Sequence, residues 1–583
     1  KCKKILNVDF CNEIQRKYVI IKKIVTFYTE RKKIMIKKHM PVFVVCLLIV
    51  LVSLIGGAVY GINKLIPTSK QMDLTEYYGH NADGEAALIL GTQKLEQKAL
   101  FSGNDVYLPL DVVSGYLNQR YYWDSENKKI LYATPTSLTE EAASEQADGN
   151  VWLKDDTVYL KLDYVKKYTD IDSYIYEDPA RVAIQYKFSN IQTVTVKKDT
   201  VIRYRGGIKS EILTKIPKDT VLRLLDEGED WDQVATDDGY IGYIQKKKVS
   251  SADTTNYERD FKAEAYSYLT MDEPVNMVWH QVTSTDANSY FADAVQNMTG
   301  VNVISPTWFS VSDNDGNVSS LASGEYVMQA HEKGLKVWGL VDNFSENMST
   351  TTVLSKTSSR QNLENHLVTY ALKSGLDGIN IDFESLSEDV GIHFLQFLRE
   401  LSIQCHENNL VLSVDNPVPE DFTSHYDRTE QGKVVDYVII MGYDEHYVGS
   451  DAGSVASLPW VEQGVKDTLA EVPAKRTILA IPFYTRLWKT TDGGALTSEA
   501  IGMDQAQQVI SENGAETYWD KTTSQNYGTY EGDGATYQIW LEDAQSVAEK
   551  VKLISKYELA GVAEWKLGFE NSGIWSVITE NLS

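Results

Sequence analysis

The sequence predicts an α/β protein whose carboxyl-terminal half is a (β/α)8 TIM barrel. From about residue 273 onward, short apolar segments typical of strands alternate with longer segments of helical periodicity, as in a parallel sheet with crossover helices. One such strand, residues 378–384, carries three polar side chains on one face and three apolar side chains on the other. Its acids lie toward its carboxyl end, where barrels of this kind keep their catalytic groups. Ahead of the barrel, the sequence predicts a small all-β barrel, a tandem α+β repeat and one transmembrane helix.

Charge divides the chain into a basic beginning and an acidic remainder. Residues 1–40 carry a net charge of +9, whereas the 583-residue chain carries −26. We interpret residues 1–40 as a basic cytoplasmic tail and the apolar residues 41–62 as a transmembrane signal anchor. Because basic residues stay on the cytoplasmic side, the predicted location is the cell membrane, single-pass, with the amino terminus inside and the catalytic domain extracellular. The acidic remainder argues against nucleic acid as a partner.

Two alternatives stay open at this end of the chain. A cleaved signal peptide could end at the small residues 56–58. The chain begins with Lys1, so Met35 is an alternative first residue, and no structural expectation is built on the residues before it.

An internal repeat occupies residues 69–188. The segment DVYLPLDVVSGYL, from Asp105, recurs as TVYLKLDYVKKYT, from Thr157, at a constant offset. Each copy predicts a strand, a helix that starts near an Asp, and further strands. The region resembles the small α/β repeats near the amino end of copper amine oxidases, without a copper ligand set. We interpret it as a stalk or wall-contact module, with a simple spacer as the alternative.

Residues 192–250 predict a small β-barrel. Short alternating strands are separated by turns such as Lys-Asp, Gly-Gly and Asp-Asp-Gly. The closing sequence DGYIGYIQKKKV resembles bacterial Src-homology-3-type (SH3-like) domains, which often hold enzymes on peptidoglycan. A purely structural barrel is the alternative.

The last predicted domain, residues 273–583, contains the eight strands of the (β/α)8 barrel. The predicted strands are Asn276–Val282, Val301–Phe309, Lys336–Val341, Gly378–Glu384, Leu410–Val414, Tyr437–Met441, Thr477–Ile481 and Gly561–Trp565. The longest insertion, Trp488–Tyr537, is rich in Gly, Tyr and Thr and predicts a small antiparallel flap.

The fourth strand carries the most specific pattern. Asp382 and Glu384 project from one face, about 6–7 Å apart from the strand rise, which suits acid–base work on a glycosidic bond. The segment DGINIDFE, residues 377–384, resembles the D-G-x-x-x-D-x-E signature of glycoside hydrolase family 18, the chitinase-like enzymes. Asn380 stands where the fuller pattern often has a third Asp. This departure resembles the bacterial cell-wall and spore-cortex-lytic N-acetylglucosaminidase branch.

Three further strand ends resemble the same family. With Asn380, the candidate substrate-binding residues are Met441 and Asp444 in the M-x-Y-D motif, whose Tyr443 is a catalytic candidate, Tyr484 and Arg486 in the I-P-F-Y-x-R-x-W motif, and Trp565 at the end of strand eight. Trp308, at the end of strand two, is a further candidate in a less specific motif. The resemblance implies that Trp565 forms an indole floor beneath the sugar. It also implies that the hydroxyl of Tyr443 holds the acetamido oxygen.

The mechanism that the resemblance implies needs no protein nucleophile. Glu384 would protonate the leaving oxygen while the substrate's own acetamido group attacks the anomeric carbon, assisted by Asp382 and Tyr443. We therefore expect a glycosidase that cleaves N-acetylglucosamine linkages in peptidoglycan, with no metal and no cofactor. Chitin or an N-glycan core as substrate, and a catalytically silent wall-binding lectin, remain the alternatives.

Overall fold

The computed structural model describes residues 16–24 and 40–582, with the backbone alone for residues 40–43 and 58–63. The described chain forms two compact units. The first contains the residues up to Glu96 together with Ile171–Glu258, and the second contains Gln97–Asp170 with the residues from Arg259 onward. The predicted repeat region, residues 69–188, is thus divided between the two units.

The predicted membrane anchor falls on the helix Met40–Leu65. In the part of the chain that the structure describes, no helix combines the length and the apolar character needed to cross a membrane. The predicted transmembrane helix and the predicted single-pass membrane localisation are therefore wrong. The predicted basic tail lies largely outside the described residues.

The first unit is rich in β-structure. Strand Glu85–Leu90 pairs in parallel with Ala180–Gln185, which pairs antiparallel with Asp172–Glu177. A short helix, Leu74–Tyr78, begins after Asp73, whose side chain accepts the first backbone N–H groups.

The segment predicted as an SH3-like barrel is an antiparallel sheet in the first unit. Its seven strands, in spatial order, are Ile212–Ile216, Thr200–Arg203, Ile241–Gln245, Trp231–Ala235, Val221–Asp226, Ile191–Thr195 and Asp253–Thr255. Val194, Ile202 and Ile244 are buried in its core. In the described residues the two edge strands do not pair with each other, and the predicted small SH3-like barrel is not supported.

The two copies of the internal repeat meet in the second unit. Strands Asp105–Pro109 and Thr157–Lys161 pair antiparallel, with Leu108 opposite Leu160. Each leads into a short helical segment, as predicted. The helical segments are Leu110–Val112, which continues as a π-helical turn over Val113–Leu117, and Leu162–Tyr168. The remaining strands here are Gln93–Ser102, which begins in the first unit, Tyr122–Asp124, Lys129–Ala133, Leu138–Ala142 and Val151–Lys154.

The predicted (β/α)8 barrel is confirmed. Eight parallel strands form a closed sheet, because the first strand pairs with both the second and the eighth. They are β1 (Val275–His280), β2 (Val303–Val311), β3 (Lys336–Asp342), β4 (Gly378–Asp382), β5 (Val411–Pro417), β6 (Tyr437–Met441), β7 (Thr477–Pro482) and β8 (Gly561–Trp565). A short strand, Val318–Ser320, folds back antiparallel on β2.

Helices surround the barrel. They are Phe291–Ala294, Gly324–Glu332, Thr350–Ser355, Thr357–Ser374, Gly391–Glu407, Arg428–Val434, Leu458–Leu469, Ala544–Tyr557 and Ile574–Leu582. Local signals set several of their ends. Asp543 and Ser546 form a capping box at the start of Ala544–Tyr557. The helix Thr357–Ser374 ends at Gly375, whose left-handed backbone suits glycine.

The strands alternate between two cores. Ile379, Ile381 and Phe383 pack outward against the helices, in the large shell core. Trp279, Trp338 and other apolar side chains fill the barrel interior. Since successive side chains alternate, the polar residues of β4 must point inward.

The insertion after β7 forms the predicted antiparallel flap. Its five strands, in spatial order, are Leu496–Gly502, Tyr484–Thr491, Ala535–Leu541, Gln525–Gly532 and Thr517–Asp520. The helix Met503–Glu512 packs on this sheet through Ala506 and Ile510.

Candidate active site

The first half of the DGINIDFE segment has a structural role. Asp377 accepts hydrogen bonds from the backbone N–H of Val337 at 2.9 Å and from the side chain of Lys336 at 2.9 Å, which ties the start of β4 to β3. Gly378 follows it, and a Cβ there would lie 2.7 Å from Trp338 and from the carbonyl oxygen of Val411. These two residues fix the start of the strand, so the chemistry lies at its other end.

Asp382 is the last residue of β4 and points into the mouth of the barrel. Its side chain is buried, and its Oδ1 atom has no hydrogen-bond partner among the described residues. Burial, followed by the negative charges of Asp415, Glu384 and Asp342, raises the pKa of Asp382 well above its usual range. Asp382 therefore holds a proton to higher pH than an ordinary Asp does.

Glu384 lies two residues beyond the end of β4. The side chain of Asn343, from the loop after β3, accepts the backbone N–H of Glu384 and donates to its carbonyl oxygen, both at 3.0 Å. The carboxyl group is open to solvent on one side, but the concave wall around it removes much of its hydration. This burial, and then the negative charge of Asp444, raise the pKa of Glu384 above its usual value. Such a group suits a general acid.

The end of β6 brings two further groups to the same place. Asp444 adopts a left-handed backbone, at φ 65°, that Asp tolerates better than most residues. Its Oδ1 atom accepts the hydroxyl of Tyr484 at 2.5 Å. The rings of Tyr443 and Tyr484 meet edge to face, with centroids 6.1 Å apart. Burial and the nearby acids, Asp382 first, raise the pKa of Tyr443 well above its usual range, so its hydroxyl remains a hydrogen-bond donor.

These groups line one cavity of about 210 Å³. Its lining residues are Trp279, Phe344, Asp382, Glu384, Asp415, Met441, Tyr443, Asp444, Tyr484 and Trp565. A second cavity, of about 400 Å³, shares Asp382, Phe344 and Trp565 with it and includes Trp308 in its wall. Together the cavities form a cleft over the carboxyl ends of the strands. Across the described residues, no group of three or more His, Cys, Asp or Glu side chains is arranged to hold a metal ion.

Most predicted site residues therefore meet, but two do not face the cleft. Asn380 lies fully buried beneath its floor, where it donates to Ser413 at 3.0 Å and to Asp415 at 2.8 Å and accepts the indole N–H of Trp279 at 2.9 Å. Arg486 lies in the flap sheet, where it donates to Ser498 at 2.9 Å, and is absent from the walls of both cavities. Trp308 is almost wholly buried and donates its indole N–H to Asn288.

Sequence analysis missed several acids and aromatic residues of the cleft. Asp342 and Asp415 lie at the inward-facing positions near the ends of β3 and β5. The signal that identified Asp382, an acid at the carboxyl end of an apolar strand, is present in both. Trp279 and Phe344 also line the cavity, although no motif marks them.

Comparison with known proteins agrees with this geometry. The model of the family Glycosyl hydrolases family 18 matches residues 240–570. The match gives no support to the predicted SH3-like domain, most of which precedes it. The carboxyl-terminal domain of a presumed chitinase from Desulfitobacterium hafniense DCB-2 has a similar fold, with a TM-score of 0.50 at 21% identity, over 54% of this chain and 100% of that one.

Two curated relatives come from Bacillus subtilis (strain 168). The uncharacterized glycosylase YvbX is 26% identical over 293 residues, which are 48% of this chain and 84% of the relative. The cortical fragment-lytic enzyme is 26% identical over 248 residues, which are 41% of this chain and 57% of the relative. The chain thus spans little more than half of the second relative. Because the family model covers more than half of the chain, the protein belongs to glycosyl hydrolase family 18 and is a glycosidase.

Proposed function

We propose that this glycosidase cleaves β-1,4 linkages that follow N-acetylglucosamine in peptidoglycan, with Glu384 as acid and base. The observation that carries the proposal is the convergence of Asp382, Glu384 and Tyr443 on one cavity that Trp565 also lines. An acid, a hydrogen-bond donor and an aromatic ring are the groups that hydrolysis of an N-acetylated sugar requires without a protein nucleophile.

In the first step, the protonated carboxyl of Glu384 gives its proton to the glycosidic oxygen. The bond between that oxygen and the anomeric carbon breaks, while the carbonyl oxygen of the substrate's acetamido group forms a bond to the same carbon. The product is an oxazolinium ion with one positive charge. Because the pKa of Glu384 is raised, its carboxyl keeps the proton closer to neutral pH than an ordinary Glu does.

Two side chains act on the acetamido group during this step. Asp382 accepts its N–H and supplies negative charge to the ion, whereas the hydroxyl of Tyr443 donates to its oxygen and orients it for attack. The raised pKa of Tyr443 supports its role as a donor. The ring of Trp565 lies 5.9 Å from that of Trp279, edge to face, and offers an apolar surface to the pyranose ring.

In the second step, Glu384 acts as a base. Its carboxylate removes a proton from water, the water oxygen attacks the anomeric carbon, and the acetamido group is released. Because the carbon is attacked twice from opposite sides, its configuration is retained. The sugar on the non-reducing side of the cut must therefore carry an N-acetyl group.

The choice of peptidoglycan rests on the relatives. The name of one relative states that it lyses cortical fragments, and Asn380 replaces the third Asp of the chitinase pattern. Chitin and the core of an N-glycan present the same acetamido group, so they remain alternative substrates.

The test compares the full chain with the Glu384→Gln variant on sacculi, chitin oligomers and a high-mannose glycoprotein. Mass spectrometry identifies the products. The proposal expects fragments with N-acetylglucosamine at the reducing end, from sacculi, with the wild type alone. The exposed Glu407, at the far end of its helix, gives a matched control, and Glu407→Gln should cut as the wild type does. If no substrate is cut while glycan binding persists, the protein is a lectin and the proposal fails.

A further inference from the structure

A third cavity, which we call the rear cavity, lies in the second unit away from the cleft. Its volume is about 550 Å³, within the range of sites that bind small molecules. Three segments form its walls, namely residues 117–120 with Tyr132 and Tyr168 of the repeat region, residues 261–268, and the helix Arg428–Val434. That helix leads to the start of β6, and residues 261–268 precede the start of β1. The rear cavity therefore lies toward the amino ends of the barrel strands, whereas the cleft lies at their carboxyl ends.

Aromatic rings make up much of the wall of the rear cavity. The rings of Tyr132 and Tyr168 are stacked, with centroids 4.1 Å apart and an angle of 22° between their planes. The guanidinium group of Arg120 lies 5.1 Å from the centre of the Tyr266 ring. Rings held by such partners lose little conformational freedom when a ligand binds. The aromatic residues of the wall are Tyr132, Tyr168, Phe261, Tyr266 and Tyr268.

Arg120 and Glu264 place a donor and an acceptor side by side in this wall. The Nε atom of Arg120 donates to Glu430 at 2.7 Å. Its Nη1 atom lies 3.6 Å from Oε2 of Glu264, which is too far for a direct hydrogen bond. Burial raises the pKa of Glu264 above its usual value, and the charges of Arg120 and Lys167 offset this effect only in part. The guanidinium group and the carboxylate are thus neighbours that a third polar group can bridge.

The charges in the wall of the rear cavity favour a neutral ligand. Two cations and two acids line it, so that the wall carries no net charge, and these residues are Arg120, Lys433, Glu264 and Glu430. Both cations lie beside Glu430, at 2.7 and 3.5 Å. An anionic or a cationic ligand would find no surplus of the opposite charge to offset its lost hydration. A neutral molecule that carries hydroxyl groups meets no such cost.

We propose that the rear cavity is a second, non-catalytic binding site for a neutral stretch of a glycan. One sugar hydroxyl accepts a hydrogen bond from Nη1 of Arg120, and an adjacent hydroxyl donates to the carboxylate of Glu264. The C–H face of the pyranose ring packs against the tyrosine rings. The inference goes beyond the proposed function, because no bond of the ligand is made or broken in this cavity.

The position of the rear cavity gives this site a role on polymers alone. A short oligomer that fills the cleft leaves the rear cavity to a second molecule. In a polymer, by contrast, a neighbouring stretch of glycan occupies the rear cavity while the cleft releases one linkage and takes the next. Such a second contact raises the effective concentration of substrate at the cleft.

The test counts binding sites by isothermal titration calorimetry with the tetramer of N-acetylglucosamine. The full chain carries Glu384→Gln so that the probe is not cut, and we expect two sites. Adding Trp565→Ala should weaken the site in the cleft. Adding Glu264→Ala should weaken the other site by roughly 10- to 100-fold, as expected for a lost hydrogen bond to a charged group. Glu264→Gln keeps one acceptor oxygen and should lose less.

Glu273→Ala is the matched control, because Glu273 is an exposed acid in the same segment before β1, and it should keep both sites. Circular dichroism checks that each variant is folded. A single site that Trp565→Ala weakens and Glu264→Ala leaves unchanged would overturn the proposal. So would two sites that both survive Glu264→Ala.

Kinetics separate a contact with the polymer from an indirect effect on the cleft. With Glu384 intact, Glu264→Ala should raise the apparent KM for sacculi and leave kcat unchanged. On a soluble oligomer that fills the cleft alone, neither constant should change. An equal change on both substrates would contradict the rear site. Two binding sites in a chain that cuts no glycan would contradict the proposed function alone, whereas cleavage by a chain with one site would contradict the rear site alone.

Discussion

Two sets of buried carboxyl groups in the second unit differ in the direction in which their pKa values are shifted. On the outer helix Arg428–Val434, the buried Glu430 accepts hydrogen bonds from Arg399 at 3.0 and 3.1 Å and from Arg120 at 2.7 Å. At the cleft, Asp382 and Asp415 are also buried, but the charged groups described around Asp382 are acids. Burial is common to both places, whereas the sign of the neighbouring charges is opposite.

The pKa values follow the neighbours rather than the burial. Burial alone would raise the pKa of Glu430, but Arg399 and Arg120 outweigh it and lower that pKa to about 2. At Asp382, burial and like charges act in the same direction and raise the pKa. Glu430 is therefore ionised at neutral pH and contributes to stability, while Asp382 and Glu384 hold their protons to higher pH than ordinary carboxyl groups do.

The comparison is sharpest at Glu384, where we expect the largest effect. Glu384→Gln should lower kcat on the cleaved glycan by roughly 10²- to 10⁴-fold or more, because no proton reaches the leaving oxygen. The free energy of unfolding should change by less than about 0.5 kcal/mol, since the side chain is open to solvent and has no cationic partner among the described residues. Steady-state kinetics and urea denaturation measure the two effects.

At Glu430 we expect the opposite result, a loss of stability without a loss of activity. Glu430→Gln should lower the free energy of unfolding by about 3–5 kcal/mol, because Arg399 would keep a buried charge without this counter-ion and Arg120 would keep only the more distant Glu264, at 3.6 Å. The activity per folded molecule should remain that of the wild type. Urea denaturation provides the measurement, and the exposed Glu516→Gln is the control. A variant with unchanged stability would break the comparison, since the ion pairs would then contribute nothing.

Acid denaturation gives a smaller effect from the same residue. The pKa of Glu430 is about 2 in the folded chain and 4.5 in its ordinary state, so the folded state binds the proton less readily. Its contribution, about 3 kcal/mol, is therefore fully present above pH 4.5. It is lost as the pH falls from about 4.5 to 2. The stability of the wild type should fall more steeply than that of Glu430→Gln over this range. Equal slopes would contradict the lowered pKa.

The sequence predicted the barrel because burial imposes a clear pattern on each strand. All eight predicted strands overlap the observed ones, and β6 and β8 agree at both ends. The ends of β3 and β5 were predicted one residue before Asp342 and Asp415, respectively. Asp, Asn and Pro are poor strand formers, yet pairing with the adjacent strands extends the regular structure through them. The alternation of apolar residues therefore predicted strands that stopped just before the acids at their carboxyl ends.

Other errors have a similar cause, because the hydrogen bonding between strands, rather than the local sequence pattern, decides where a strand ends. The prediction placed Tyr484 and Arg486 at the end of the seventh strand, but β7 ends at Pro482 and Tyr484–Thr491 belongs to the flap sheet. Arg486 consequently turns toward Ser498. Asn380 occupies the inward face as predicted, but deeper than the cleft. The motif marked the correct strand, whereas depth within the barrel depends on the side chains of the other strands.

The smallest expected effect concerns the pH dependence of activity. Asp444→Asn removes the charge that, after burial, most raises the pKa of Glu384. The Asn side chain can still accept the hydroxyl of Tyr484 and tolerates the left-handed backbone of this position. The basic limb of the kcat/KM profile reports the general acid of the free enzyme. It should move to lower pH in this variant, because a less raised pKa means that Glu384 loses its proton earlier.

The matched control removes an acid from the opposite end of the barrel. Asp467 lies in the last turn of the helix that leads into β7, exposed to solvent, and Asp467→Asn lowers the net negative charge by the same amount. Charges beyond about 10 Å are screened at moderate ionic strength, so its profile should coincide with that of the wild type. If both variants shift the limb equally, the overall charge of the protein sets the pKa of Glu384. If neither variant shifts the limb, the charge of Asp444 does not act on Glu384. The contrast between the pKa of Glu384 and that of Glu430 then has no contribution from like charges at the cleft and rests on burial alone.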